Sequence, residues 1–169
     1  MGFFLKLITI SLLFLTACNI SNAEQLYKFA NIDMIIKETK IGNQMLKKLN
    51  NIDKENVEKL KSFQKQIEEM QNEINLKKNI ISDSEYEKKV NDLKKEISNF
   101  NNQKKIMVDK LTDIKNKELN LFFENIKPIV QNYMNENSID MIINSKNVFM
   151  GNKNSDITQQ LIDQINIKF

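Results

Sequence analysis

The chain has 169 residues, 41% of them hydrophobic and 28% charged, with a net charge of +3. That balance excludes a disordered chain and a multi-pass membrane protein, and it fits one domain of ordinary size. Only 3 glycines and 1 proline interrupt it, which favours long unbroken helices over a turn-rich all-β fold.

Every basic residue is a lysine, and histidine and tryptophan are absent. Without arginine for bidentate contacts, and with no basic stripe, no nucleic-acid partner is expected. Enzyme chemistry is equally poorly served. There is no histidine for proton transfer or metal ligation, one cysteine, and no glycine-rich phosphate loop. The carboxylates are spread among lysines, as on solvated helix faces. No enzyme, metal or cofactor is expected.

The chain opens with Lys6, an apolar run from Leu7 to Leu15, and a stretch of small or polar residues. This is the order of a secretory signal peptide, and the run is too short to span a bilayer core, which needs roughly 20 apolar residues. Two processing sites compete. Ser21-Asn22-Ala23 predicts cleavage after Ala23, making residues 1–23 a signal peptide and leaving a soluble exported protein. Leu15-Thr16-Ala17-Cys18 resembles a lipobox, which would anchor the chain to the membrane through Cys18. Ala23 is preferred because ordered sequence resumes a few residues later. That choice leaves no cysteine, so no disulfide, in the mature chain.

Leu26 to Ile32 reads as a strand, with Asp33 as the cap of a short helix leading to Gly42, which marks a bend. Apolar residues then recur at helical spacing: Met45, Leu49, Ile52, Leu60, Phe63, Ile67, Met70 and Ile74. Val57 falls one residue off that register and predicts a local shift. Residues 79–84 are the turn, and Ser82 or Ser84 can cap the next helix because Glu85 and Glu87 lie three residues on. A second stripe follows through Tyr86, Val90, Leu93, Ile97, Phe100, Met107, Leu111, Ile114 and Leu121. Lys104 and Glu118 occupy two of its positions, so those are expected to face solvent or a cavity. The two arms, 41–78 and 85–124, are nearly equal, and each would reach roughly 60 Å. Equal helices around a short turn pack antiparallel.

Pro128 predicts a kink or stop near residues 126–127. Ile139 to Ile143 and Val148 to Met150 read as a hairpin of short strands. Asp156 then starts a last helix, with Ile157, Leu161 and Ile165 at every fourth position. The fold class is therefore α+β, mostly helical. A small β base, built from 24–40 and 126–169, carries one antiparallel helical hairpin over 41–125. So thin a sheet is marginal alone, and oligomerisation would complete it.

Two segments carry a family resemblance: Tyr27 to Ile36 (YKFANIDMII) and Ser138 to Asn166 (SIDMIINSKNVFMGNKNSDITQQLIDQIN). On these the chain resembles the Skp/OmpH family of periplasmic chaperones. The resemblance implies a homotrimer whose strands form a central β-barrel, with three hairpin tentacles around a cavity. It implies an ATP-independent holdase that keeps unfolded outer-membrane proteins from aggregating, in the periplasm. In that picture Phe29, Ile32, Ile139, Met141, Ile142, Ile143 and Val148 belong to the trimer base. Phe63, Met70, Phe100 and Met107 either contact clients or simply pack helix on helix; methionine adapts to varied apolar surfaces. Lys77, Lys78, Lys88 and Lys89 are tip charges, read either as a weak contact with an anionic membrane or as a solvated face. The alternative function is a scaffolding coiled coil of the envelope, lipid-anchored at Cys18.

Overall fold

The structure is a computed structural model that describes residues 26–169. The signal segment, with Cys18 and Ala23, lies outside the described residues. Strand β1 (Tyr27–Ala30) leads into helix α1 (Ile32–Glu38), then the long helices α2 (Lys40–Lys77) and α3 (Asp83–Glu136). Strand β2 (Met141–Asn144), two 3-10 turns (Ser145–Asn147 and Lys153–Ser155) and helix α4 (Thr158–Lys168) complete the chain.

Helix α1 is capped by Asn31, not by Asp33. The Met34 N–H donates to Asn31 Oδ1 at 3.1 Å, and Asp33 sits in the first turn, where its negative charge suits the helix dipole. The bend falls at Thr39, three residues before Gly42. Thr39 is fully buried and serves both helices: its N–H ends α1 on the Ile35 carbonyl, and its Oγ1 accepts from the Gly42 N–H to start α2. Gly42 permits the bend rather than making it. A Cβ there would lie 2.0 Å from the Ile36 carbonyl oxygen, so only glycine lets α2 start this close to α1.

Helix α2 keeps one register throughout. Asn56, not Val57, takes the half-buried stripe position, and Val57 points outward, so no shift occurs. The turn occupies residues 78–82, and Ser82 caps α3 by accepting from the Glu85 N–H at 3.3 Å. Helix α3 does not stop at Pro128. It runs to Glu136, which makes it far longer than α2. The proline is bracketed by packing that outweighs its missing N–H: Phe122 and Ile126 are buried before it, and Ile129, Val130, Tyr133 and Met134 pack on the same core after it. The helix ends in a Schellman motif. Ile139 N–H reaches the Met134 carbonyl, Ser138 N–H reaches that of Asn135, and Ser138 adopts the left-handed φ of 53°.

The expected hairpin of strands is absent. Val148 to Met150 is irregular, because Asn144 Oδ1 accepts from the Lys146 N–H and turns the chain into a 3-10 helix directly after β2. Strand β2 instead pairs with β1, in parallel, with Tyr27 opposite Met141 and Ala30 opposite Asn144. Ile139 lies ahead of β2 and is buried in the core. On the other side of β1, Phe29 forms an isolated bridge with Asp156, and the Ile157 N–H donates to the Phe29 carbonyl. Helix α4 starts two residues after Asp156, whose Oδ1 accepts from both the N–H and the hydroxyl of Thr158. Its buried face, Ile157, Leu161, Ile162 and Ile165, packs with Ala30, Ile35, Met45, Phe122, Ile126 and Ile139. Asn166 clamps the bend: its side chain accepts from the Lys40 N–H and donates to the Glu38 carbonyl. The buried core thus sits at one end of the molecule, and α2 and α3 run out from it together.

Candidate functional site: an open arm on a small base

From Leu46 to Glu73 in α2, and from Asp83 to Leu121 in α3, no residue is fully buried. Two helices meet along one line, so each seam residue is covered on one side and open on the flanks. Phe63, Met70, Phe100 and Met107 are all half-buried in this seam. Half-burial leaves part of each of these four apolar side chains open to solvent along the arm. Gln103, rather than Lys104, takes the half-buried seam position, and Lys104 is exposed.

Glu118 also stands in the seam, where Lys48 Nζ meets its Oε1 at 2.6 Å. The Glu118 side chain is only 14% exposed, against 56% for Lys48. The pair borders a groove of about 310 Å³ that also touches Ile41, Met45 and Phe122. The carboxylate therefore faces both a lysine and a cavity.

At the tip, Glu73 binds Lys77 within α2, at 2.7 Å, and Lys89 across the turn, at 3.0 Å. Those two lysines, Lys77 first, hold the Glu73 carboxyl down to about 2, and Glu73 in turn raises Lys77. Ile74 is buried beneath them, the one fully buried residue of the outer arm among those described. Lys78 and Lys88 are exposed and stand apart from this cluster.

In the base, Phe29 is half-buried against Gly151, where a Cβ would come within 2.7 Å of the ring. Ile32 and Ile142 pack on the core, and Ile143 and Val148 are half-buried. Met141 is half exposed. Two residues that the sequence did not single out are bare: Phe149 is 100% exposed and Met150 84%. Reading 148–150 as a strand hid them, because a strand would have put one side chain inward. Among the described residues there is no cluster of His, Cys, Asp and Glu able to hold a metal, and no helix is long and apolar enough to cross a membrane.

A parallel strand pair whose crossover is a long antiparallel hairpin, braced by a C-terminal helix, defines an arm-on-a-base protein. The chain belongs to the family of outer membrane proteins described as OmpH-like, whose model matches residues 28–165. A crystal structure described as an outer membrane chaperone (OmpH-like) from Caulobacter crescentus shares the fold, with a TM-score of 0.75 at 12% identity and 86% of each chain covered. No curated protein matches the sequence.

Proposed function

We propose that the protein is an ATP-independent holdase of the periplasm, which shelters unfolded outer-membrane proteins between the arms of a homotrimer. The observation that carries this reading is the arm seam, mostly apolar, broken by Asn56, Gln103 and Glu118, and fully buried almost nowhere. Such a seam offers many weak apolar contacts and no fixed pocket, which suits a client without a fold. Membership of the OmpH-like family supports it, as does the likeness to a protein described as an outer membrane chaperone.

The trimer is part of the proposal. A two-stranded sheet of four-residue strands leaves β2 with an open edge. Around it Tyr27, Met141, Phe149 and Met150 expose apolar surface. Strands of three copies closing into one barrel would cover both. In this reading 24–40 and 126–169 supply the base, 41–125 supplies the tentacle, and residues 1–23 direct export.

The test is dilution of a urea-unfolded β-barrel membrane protein into buffer containing the purified protein without nucleotide. Light scattering should fall with added protein, and the solution mass should be that of three chains. Undiminished scattering at several-fold molar excess would sink the holding role. A stable monomer would remove the cavity.

A further inference from the structure

At the root of the arm, α1, α2 and α3 enclose a groove of about 360 Å³. Its walls are Ile32, Ile36, Leu46, Leu49, Leu119 and Phe123. Lys115, Leu119 and Phe123 lie one turn apart on α3, so the groove runs roughly 12 Å along that helix. An extended peptide covers that length with three or four residues.

Its charged rim has one sign to spare. Lys37 and Lys115 border the groove, and neither has a carboxylate within ion-pair distance among the described residues. The acidic group on the rim is Asp33, and it is paired with Lys146. The Lys146 bond, reinforced by Lys37, keeps the Asp33 carboxyl ionised and below its usual range. An apolar floor under a rim that carries more lysines than carboxylates suits an apolar ligand that brings its own anions.

We propose that this groove is a docking subsite for a stretch of three or four apolar residues flanked by carboxylates, on an unfolded chain. The inference rests on the holding role above and names the segment this part of the arm selects. A second copy of the chain is a poorer occupant. Its bare apolar pair, Phe149 and Met150, is flanked by Lys146 and Lys153, and it would bring positive charge to a lysine rim.

The experiment uses two labelled peptides, each with the same four apolar residues, one followed by two glutamates and the other by two lysines. Fluorescence anisotropy with the purified protein at low salt should show the glutamate peptide binding about three- to tenfold tighter, a gap that narrows at high salt. The double variant K37E/K115E should invert the order. Leu46→Gln should weaken both peptides without changing the solution mass. Equal binding of the two peptides, or a ratio untouched by K37E/K115E, overturns the proposal. So does a change of assembly mass in Leu46→Gln, which would mean that a neighbouring copy covers the groove. The same preparations go through the scattering assay. Suppression of aggregation without peptide preference removes the subsite and leaves the holding role; preference without suppression does the reverse.

Discussion

Lys48 and Glu118, 70 residues apart in sequence, meet at 2.6 Å across the root of the hairpin. The pair is asymmetric, because the carboxylate is largely enclosed and the ammonium is wet. Removing the lysine therefore strands a poorly solvated charge, whereas removing the glutamate frees a group that water can take. Lys48→Met should cost roughly 1–3 kcal/mol. Glu118→Leu extends the apolar seam between Ile114 and Phe122 and should be neutral or stabilising by about 1 kcal/mol. Urea unfolding followed by circular dichroism, at fixed protein concentration, ranks the two. The reverse order would show that the pair is not carried by Glu118 burial.

Gly42→Ala sets two effects against each other. Alanine is the better helix former by about 1 kcal/mol. Its methyl, however, would sit 2.0 Å from the Ile36 carbonyl oxygen, which is backbone and has no rotamer to escape into. The clash should win, with a net loss of about 2 kcal/mol or more. A raised melting temperature would show that α1 and α2 can separate freely.

Ser138 holds a left-handed conformation that glycine adopts without a steric penalty. Ser138→Gly keeps both backbone bonds of the Schellman motif and should raise stability by roughly 1 kcal/mol. Thermal melts of the two proteins under one condition decide it.

Pro128 removes a helix donor in the middle of α3. Since the helix continues regardless, Pro128→Ala should restore the bond toward Glu124 and stabilise by about 1–3 kcal/mol. Loss of stability instead would mean that the pyrrolidine ring is needed in the groove it lines with Tyr133 and Phe169.

Glu73 should titrate near 2 rather than at the ordinary 4.5. A depressed carboxyl contributes stability above its ordinary value and loses it as pH falls. The tip should therefore stay clasped at neutral pH and loosen between about 4.5 and 2. Carboxyl NMR reads the titration directly. Lys77→Met should move Glu73 upward more than Lys89→Met, following the order of the two bonds.

The arm was legible because a spacing of three and four residues is a local code, and Ser82 with Glu85 is a local cap. What escaped depended on partners remote in sequence. Asn56 reads as polar and Val57 as apolar, yet the seam keeps its register and buries the asparagine more than the valine. Pro128 reads as a stop, yet core contacts on both sides carry the helix across it. Val148 to Met150 has strand-like composition, but no strand lies beside it within one chain. The break in the stripe at Glu118 was visible, whereas Lys48 as its partner follows only from how the two helices align. The root groove draws its walls from three helices between residues 32 and 123, so no window of sequence contains it.

The parallel pairing of β1 with β2 has a consequence for how the chain comes to fold. Leu26 and Asp140 bond to each other across 114 residues. On a nascent chain the first strand emerges early and has no partner until nearly everything else has been made. Closing a loop of that length outright is slow. A hairpin that zips from its tip inward shortens the loop turn by turn and delivers residue 140 to residue 26. Faults at the tip, far from any base contact, should therefore show up as slow assembly of the base, because the arm works as the chain's own tether.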